Sequence, residues 1–116
     1  MSFSGILSAT RVVTGWADWA PGWVEILDGR VVAAGAGAPR ATGSVAIEGT
    51  ILPGFVDIHA HGAVGADFGR ASLERCRSAA DYHASRGTTT MLASLASASI
   101  HELRVALDVL HELCAQ

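Results

Sequence analysis

The side chains best equipped for chemistry lie in one run, Leu52-Pro53-Gly54-Phe55-Val56-Asp57-Ile58-His59-Ala60-His61-Gly62. In an extended strand alternate side chains share a face. Phe55, Asp57, His59 and His61 therefore fall on one side, and Val56, Ile58 and Ala60 on the other, apolar side that suits packing against helices. One carboxylate and two imidazoles in a row are costly to bury without partners, roughly 2–7 kcal/mol for each polar group. A divalent ion removes that cost, because two imidazoles two residues apart at a strand end can both reach one ion at about 2.0–2.1 Å. Asp57, one pleat deeper, is placed to orient a ligand from behind. A bare His-x-His also describes two surface histidines on an edge strand. The Pro53-Gly54 turn, the apolar opposite face, the in-line Asp57 and the glycine-rich run after His61 favour metal binding.

The elements that must carry this run are punctuated by turn signals. Before it, the sequence is strand-like: Ile6–Val13, then Trp23–Leu27 and Arg30–Ala34 joined by Asp28-Gly29, a dipeptide suited to a type I′ hairpin because both positions need positive φ. Residues 35–43 are rich in glycine and proline and predict a loop. Val45–Ile47 and Thr50–Leu52 around Glu48-Gly49 predict a second small hairpin. After the run, Gly62–Gly69 reads as a loop. Ser72 to about Arg86 reads as a helix with Ser72 as N-cap, Leu73, Cys76 and Ala80 on one face, and Gly87 past its end. Thr88–Leu95 is a β-branched strand. Ser99-Ile100-His101-Glu102 is a capping box that opens a second helix, with Leu103, Leu107, Leu110 and Cys114 on one face. The order is β-rich, then β-α-β-α, the pattern of a parallel sheet with crossover helices.

Composition narrows the classes. The 116 residues are 50% apolar and 16% charged, against roughly 25% charged in ordinary domains, and mean hydropathy is +0.35. Disorder is excluded as the main state. All eight basic residues are Arg and the net charge is −3, with no basic run, so no nucleic-acid partner is expected. No apolar stretch reaches 18 residues, so no membrane span is expected. No basic, apolar leader opens the chain, and a cytoplasmic location is expected. Two cysteines, Cys76 and Cys114, make no disulfide framework and read as small core residues. His83, His101 and His111 read as solvated or capping residues on helices. Trp16, Trp19 and Trp23 read as core or loop packing around Pro21.

Pro53-Gly54-Phe55-Val56-Asp57-Ile58-His59-Ala60-His61 resembles the first barrel strand of the amidohydrolase superfamily, and Gly87-Thr88-Thr89-Thr90 resembles its second strand. Asp28-Gly29-Arg30-Val31-Val32-Ala33-Ala34-Gly35 is similar to the small β-sandwich that precedes that barrel. His61-Gly62 leading into Gly65-Ala66-Asp67-Phe68 looks most like N-acetylglucosamine-6-phosphate deacetylases. The resemblance implies an α/β fold: part of a small β-sandwich over 1–50, then the first two β-α units of a metal-dependent (β/α)8 barrel over 51–116. It implies hydrolysis of N-acetylglucosamine 6-phosphate to glucosamine 6-phosphate and acetate, with zinc or another divalent transition metal activating water. His59 and His61 are then metal ligands, Asp57 supports them, and Gly62 and Asp67 lie on the substrate loop, since barrel enzymes place function on the loops after their strands. Some members of that family lack the histidine pair and use another metal position. The partner implied is a small amino-sugar phosphate, and the intact protein is expected to be a homo-oligomer.

A barrel of this kind needs about 250 residues, so the other ligands, the acid/base carboxylate and the phosphate-binding groups are expected beyond Gln116. The 116-residue piece alone is expected to be inactive and poorly stable. Two other readings predict different behaviour. Another amidohydrolase, dihydroorotase- or hydantoinase-like, would turn over cyclic amides. A non-catalytic assembly module would pair with a separate chain supplying the missing strands.

Overall fold

The computed structural model describes residues 2–39 and 43–115, and the chain is a mixed α/β protein that divides into two compact units, Met1–Pro53 and Gly54–Gln116. In the first unit β1 (Gly5–Val13) is the central strand of a five-stranded sheet. It pairs antiparallel with β3 (Gly22–Leu27) and, near its end, with the two-residue β2 (Asp18–Trp19). β3 in turn pairs with β4 (Arg30–Ala36). The β3–β4 turn is the hairpin expected at Asp28-Gly29: φ is 50° and 77°, and Leu27 faces Arg30 across it. β4 extends to Ala36, into the predicted 35–43 loop, whose residues 40–42 lie outside the described residues.

The second predicted hairpin does not form. Residues 45–51 make one strand, β5 (Val45–Ile51), parallel to β1. Glu48-Gly49 is an irregularity within it: Ala9 faces Ile47 and Arg11 faces Thr50, so two residues of β5 stand opposite one of β1. Three-residue arms make too few ladder bonds to hold a hairpin against this longer pairing. The core of this unit is Ala9, Val12 and Val24, with Trp19, Ile26, Ala34 and Ile51 against it. Trp19 thus packs as expected, whereas Trp16 is 92% exposed. Arg11 reaches Asp18 with both Nε (2.8 Å) and Nη2. That hydrogen bonding holds the Asp18 carboxyl below its ordinary range.

The second unit begins with β6 (Phe55–Ala60), which lies parallel to β9 (Thr88–Ala93). Between them come β7 (Gly62–Ala63), β8 (Ala66–Asp67) and helix α1 (Leu73–Ser85), and α2 (Ile100–Cys114) follows. A parallel pair needs a long crossover, and here it is a small hairpin plus a helix. The Gly62–Gly69 segment, read as a loop, contains that hairpin: β7 and β8 pair antiparallel around Val64 and Gly65, both at positive φ. Phe68 and Cys76 are fully buried in the core with Ala60, Ala66, Ala79 and Leu110.

Three expectations for the helices and strands change. Ser72 holds the N-cap position of α1 but makes no side-chain capping bond. The buried stripe of α2 runs through Ala106 and Leu110 with Val109 and Leu113 beside it, while Leu107 is 55% exposed and Cys114 is exposed. The small Ala106 sits where the helix meets the core, so the stripe is offset from the line of leucines. On β6 only Ala60 is buried; Val56 (65%) and Ile58 (73%) are exposed, because the packed core reaches Ala60 and Met91 and stops there. No helix among the described residues is long and apolar enough to cross a membrane.

The capping box of α2 is present as read. The Glu102 N–H donates to Ser99 Oγ (3.2 Å), and the Ser99 N–H donates to Glu102 Oε2 (2.9 Å). The Ser99 hydroxyl also donates to that carboxylate and, with the backbone N–H, holds Glu102 below the usual carboxylate range. A lowered folded-state pKa stabilises the fold above the unfolded value, about 4.3 for Glu, and that contribution is lost as pH falls through the folded-state value. Loss of the N-cap in Ser99→Ala is expected to cost about 1 kcal/mol at neutral pH, and loss of the hold on Glu102 to weaken the acid sensitivity of α2. Urea melts of the two proteins followed by circular dichroism across pH 3–7 (roughly the span over which glutamate titrates) check both.

Candidate metal centre

Two backbone approaches bring the site together. The turn before β6 is pressed onto β9: a Cβ on Gly54 would lie 2.1 Å from Thr89 Oγ1, so no larger residue fits without displacing that strand. The Phe55 N–H donates to the Gly87 carbonyl at 2.8 Å, which starts the parallel ladder. The Pro-Gly-Phe and Gly-Thr-Thr-Thr segments are thus one contact seen from two sides. At the far end of β6 the chain turns at Gly62, whose φ is 143° and whose absent Cβ would lie 1.9 Å from the Ala66 carbonyl oxygen. Only glycine permits β7 and β8 to close there.

Between these two points stand the histidines. His59 Nε2 and His61 Nε2 are 3.0 Å apart, with ring centroids at 5.0 Å and ring planes at 54°. As they stand, one imidazole donates to the other, according to tautomer. Two nitrogens each about 2.0–2.1 Å from a shared ion would be separated by roughly 2.9 Å at a right angle and 3.4 Å at the tetrahedral angle, so the pair fits two positions of one coordination shell. Both imidazoles are exposed, so the burial cost argued from strand alternation does not arise. Convergence of the nitrogens, rather than desolvation, is what favours an ion here.

The other three candidates serve the backbone. Asp57 is half-buried, and its Oδ1 accepts from the His59 N–H at 3.0 Å, so it fixes the main chain at His59 rather than an imidazole. Asp67 Oδ1 accepts from the Gly69 N–H at 2.7 Å, and its carbonyl accepts from Arg70 and Ala71, forming the turn into α1. Gly62 permits the hairpin. Among the described residues no third His, Cys, Asp or Glu joins the pair to make a group of three. His83, read as solvated or capping, is instead half-buried, with Nε2 3.2 Å from the Gly62 carbonyl oxygen. Nothing in the local sequence marked it, since its partner lies 21 residues away. Burial pushes the Cys76 thiol up, with a smaller contribution from the Asp67 carboxylate.

Gly62→Ala is expected to destabilise the second unit by at least about 2 kcal/mol, through backbone strain and the clash with the Ala66 carbonyl. A urea unfolding curve reads this directly, and an unchanged midpoint would contradict the close approach.

No protein-family model and no curated protein matches the sequence. Solved structures do. The crystal structure of N-acetyl-D-glucosamine-6-phosphate deacetylase from Mycobacterium smegmatis is 39% identical with a TM-score of 0.88, over 96% of this chain and 32% of that one. A mutant of the same enzyme in complex with N-acetyl-D-glucosamine-6-phosphate is 38% identical with a TM-score of 0.88, over 99% of this chain and 30% of that one. The chain spans about a third of the length of these structures. Over nearly all of its own length, it is similar in sequence and fold to N-acetyl-D-glucosamine-6-phosphate deacetylases.

Proposed function

We propose that these residues form the opening part of a metal-dependent N-acetylglucosamine-6-phosphate deacetylase, and that His59 and His61 supply two of its metal ligands. The observation that carries the reading is the convergence of the two Nε2 atoms at 3.0 Å in a chain 39% identical to a solved deacetylase. Two neutral imidazoles suit zinc or another borderline transition metal better than magnesium or calcium. Such an ion, when bound, lowers the pKa of water towards neutrality and polarises the amide carbonyl.

The chain's own residues set the stage for that chemistry. Asp57 holds the His59 backbone, and the close approach at Gly62 fixes where the chain leaves His61. Both rings must present unprotonated Nε2 atoms to an ion, so protons and metal compete for the same lone pairs. In this reading the remaining ligands and a proton-transferring carboxylate are expected in a part corresponding to the two thirds of the solved deacetylases that this chain does not span. A cytoplasmic amino-sugar phosphate pathway and a homo-oligomeric parent are parts of the same proposal.

The test is acetate release from N-acetylglucosamine 6-phosphate by the protein isolated from its source cell, with metal content measured on the same sample. His59→Ala and His61→Ala are each expected to remove bound metal and lower turnover at least about 100-fold. Turnover of a cyclic amide with none of the sugar phosphate would move the reading to another amidohydrolase.

A further inference from the structure

We propose that His83 is a positioning residue for the candidate metal centre, acting through the Gly62 carbonyl on the pose of His61. This rests on the reading of His59 and His61 as metal ligands. Three successive carbonyls around His61 are each held by a different segment. The Ala60 carbonyl accepts from the Ser94 N–H at 2.8 Å, just past β9. The His61 carbonyl accepts from the Phe68 N–H at 2.8 Å, just past the β7–β8 hairpin. The Gly62 carbonyl lies 3.2 Å from His83 Nε2 on α1. The first two bonds are main chain to main chain. The third alone depends on a side chain.

His83 is well placed to hold that carbonyl. It lies on the side of α1 marked by Cys76 and Ala79, both fully buried, so its backbone is fixed by the core rather than by solvent-exposed packing. Because a carbonyl only accepts, the imidazole must carry its proton on Nε2 to bond it. Gly62 lacks a side chain and adopts a φ of 143°, a region in which glycine has unusual freedom. Its peptide is therefore the joint at which the chain after His61 would swing if the bond were absent. His61 itself is exposed, so apart from its contact with the His59 imidazole its ring is aimed by backbone restraint rather than by packing. Groups behind a ligand commonly change metal affinity 10–100-fold.

The experiment compares the full chain with His83→Phe, which keeps the ring but loses the donor, and His83→Gln, whose amide N–H reaches as far as Nε2. Two quantities are read: Zn2+ affinity by calorimetry, and hydrogen exchange of the Phe68 N–H without metal. His83→Phe should weaken Zn2+ binding about 10–100-fold and speed exchange at Phe68, with His83→Gln restoring most of both. Wild-type behaviour in His83→Phe overturns the proposal. So does an equal loss in both variants, which would mean packing rather than donation. A His59→Ala/His61→Ala protein that binds Zn2+ as well as the wild type would sink the metal reading instead. In that case exchange at Phe68 still decides His83: protection lost in Phe and regained in Gln upholds its hold on the His61 backbone, and unchanged protection refutes it.

Discussion

A parallel pair of strands cannot be closed by a short turn, and the second unit is arranged around that constraint. β6 and β9 run the same way, so the chain leaving His61 must travel back along the unit before β9 can begin. It does so through the β7–β8 hairpin and α1. The route brings Phe68 into the core and sets His83 against the Gly62 carbonyl. It also returns Gly87 to Phe55 and Thr89 to Gly54, which locks the start of the ladder. The positions of the two imidazoles are thus a product of chain direction as much as of strand alternation.

The candidate centre gains its order from the main chain. Asp57 bonds to a backbone N–H, Asp67 shapes a turn, and Gly62 admits a close approach. None of these groups needs to touch an ion to matter for it. A strand end with exposed imidazoles can hold a fixed geometry only if its backbone is tied down on several sides, and here the ties come from the end of β9, the hairpin and α1.

Local signals in the sequence were legible where the structure is locally determined. Asp28-Gly29 forms its turn because both flanking runs are long and pair with each other. The capping box at Ser99 and Glu102 needs only four residues and is present. The His-x-His alternation placed both rings together because one strand end carries them. Glu48-Gly49 misled because the competing partner, β1, lies some forty residues earlier, where a local pattern has no reach. The stripe on α2 was read from its leucines, whereas the helix buries Ala106 at its contact. His83 was missed for the same reason as β5: its partner is distant in sequence.

The two thiols occupy opposite extremes of one small unit. Cys114 is exposed at the end of α2, while Cys76 is wholly covered on the inner face of α1, where burial pushes its thiol pKa up. Alkylating reagents attack thiolates, so Cys114 reports the reagent and Cys76 reports the rate at which α1 lifts. Because that same helix carries His83, the molecule contains an internal clock for the breathing of the helix that meets the Gly62 carbonyl.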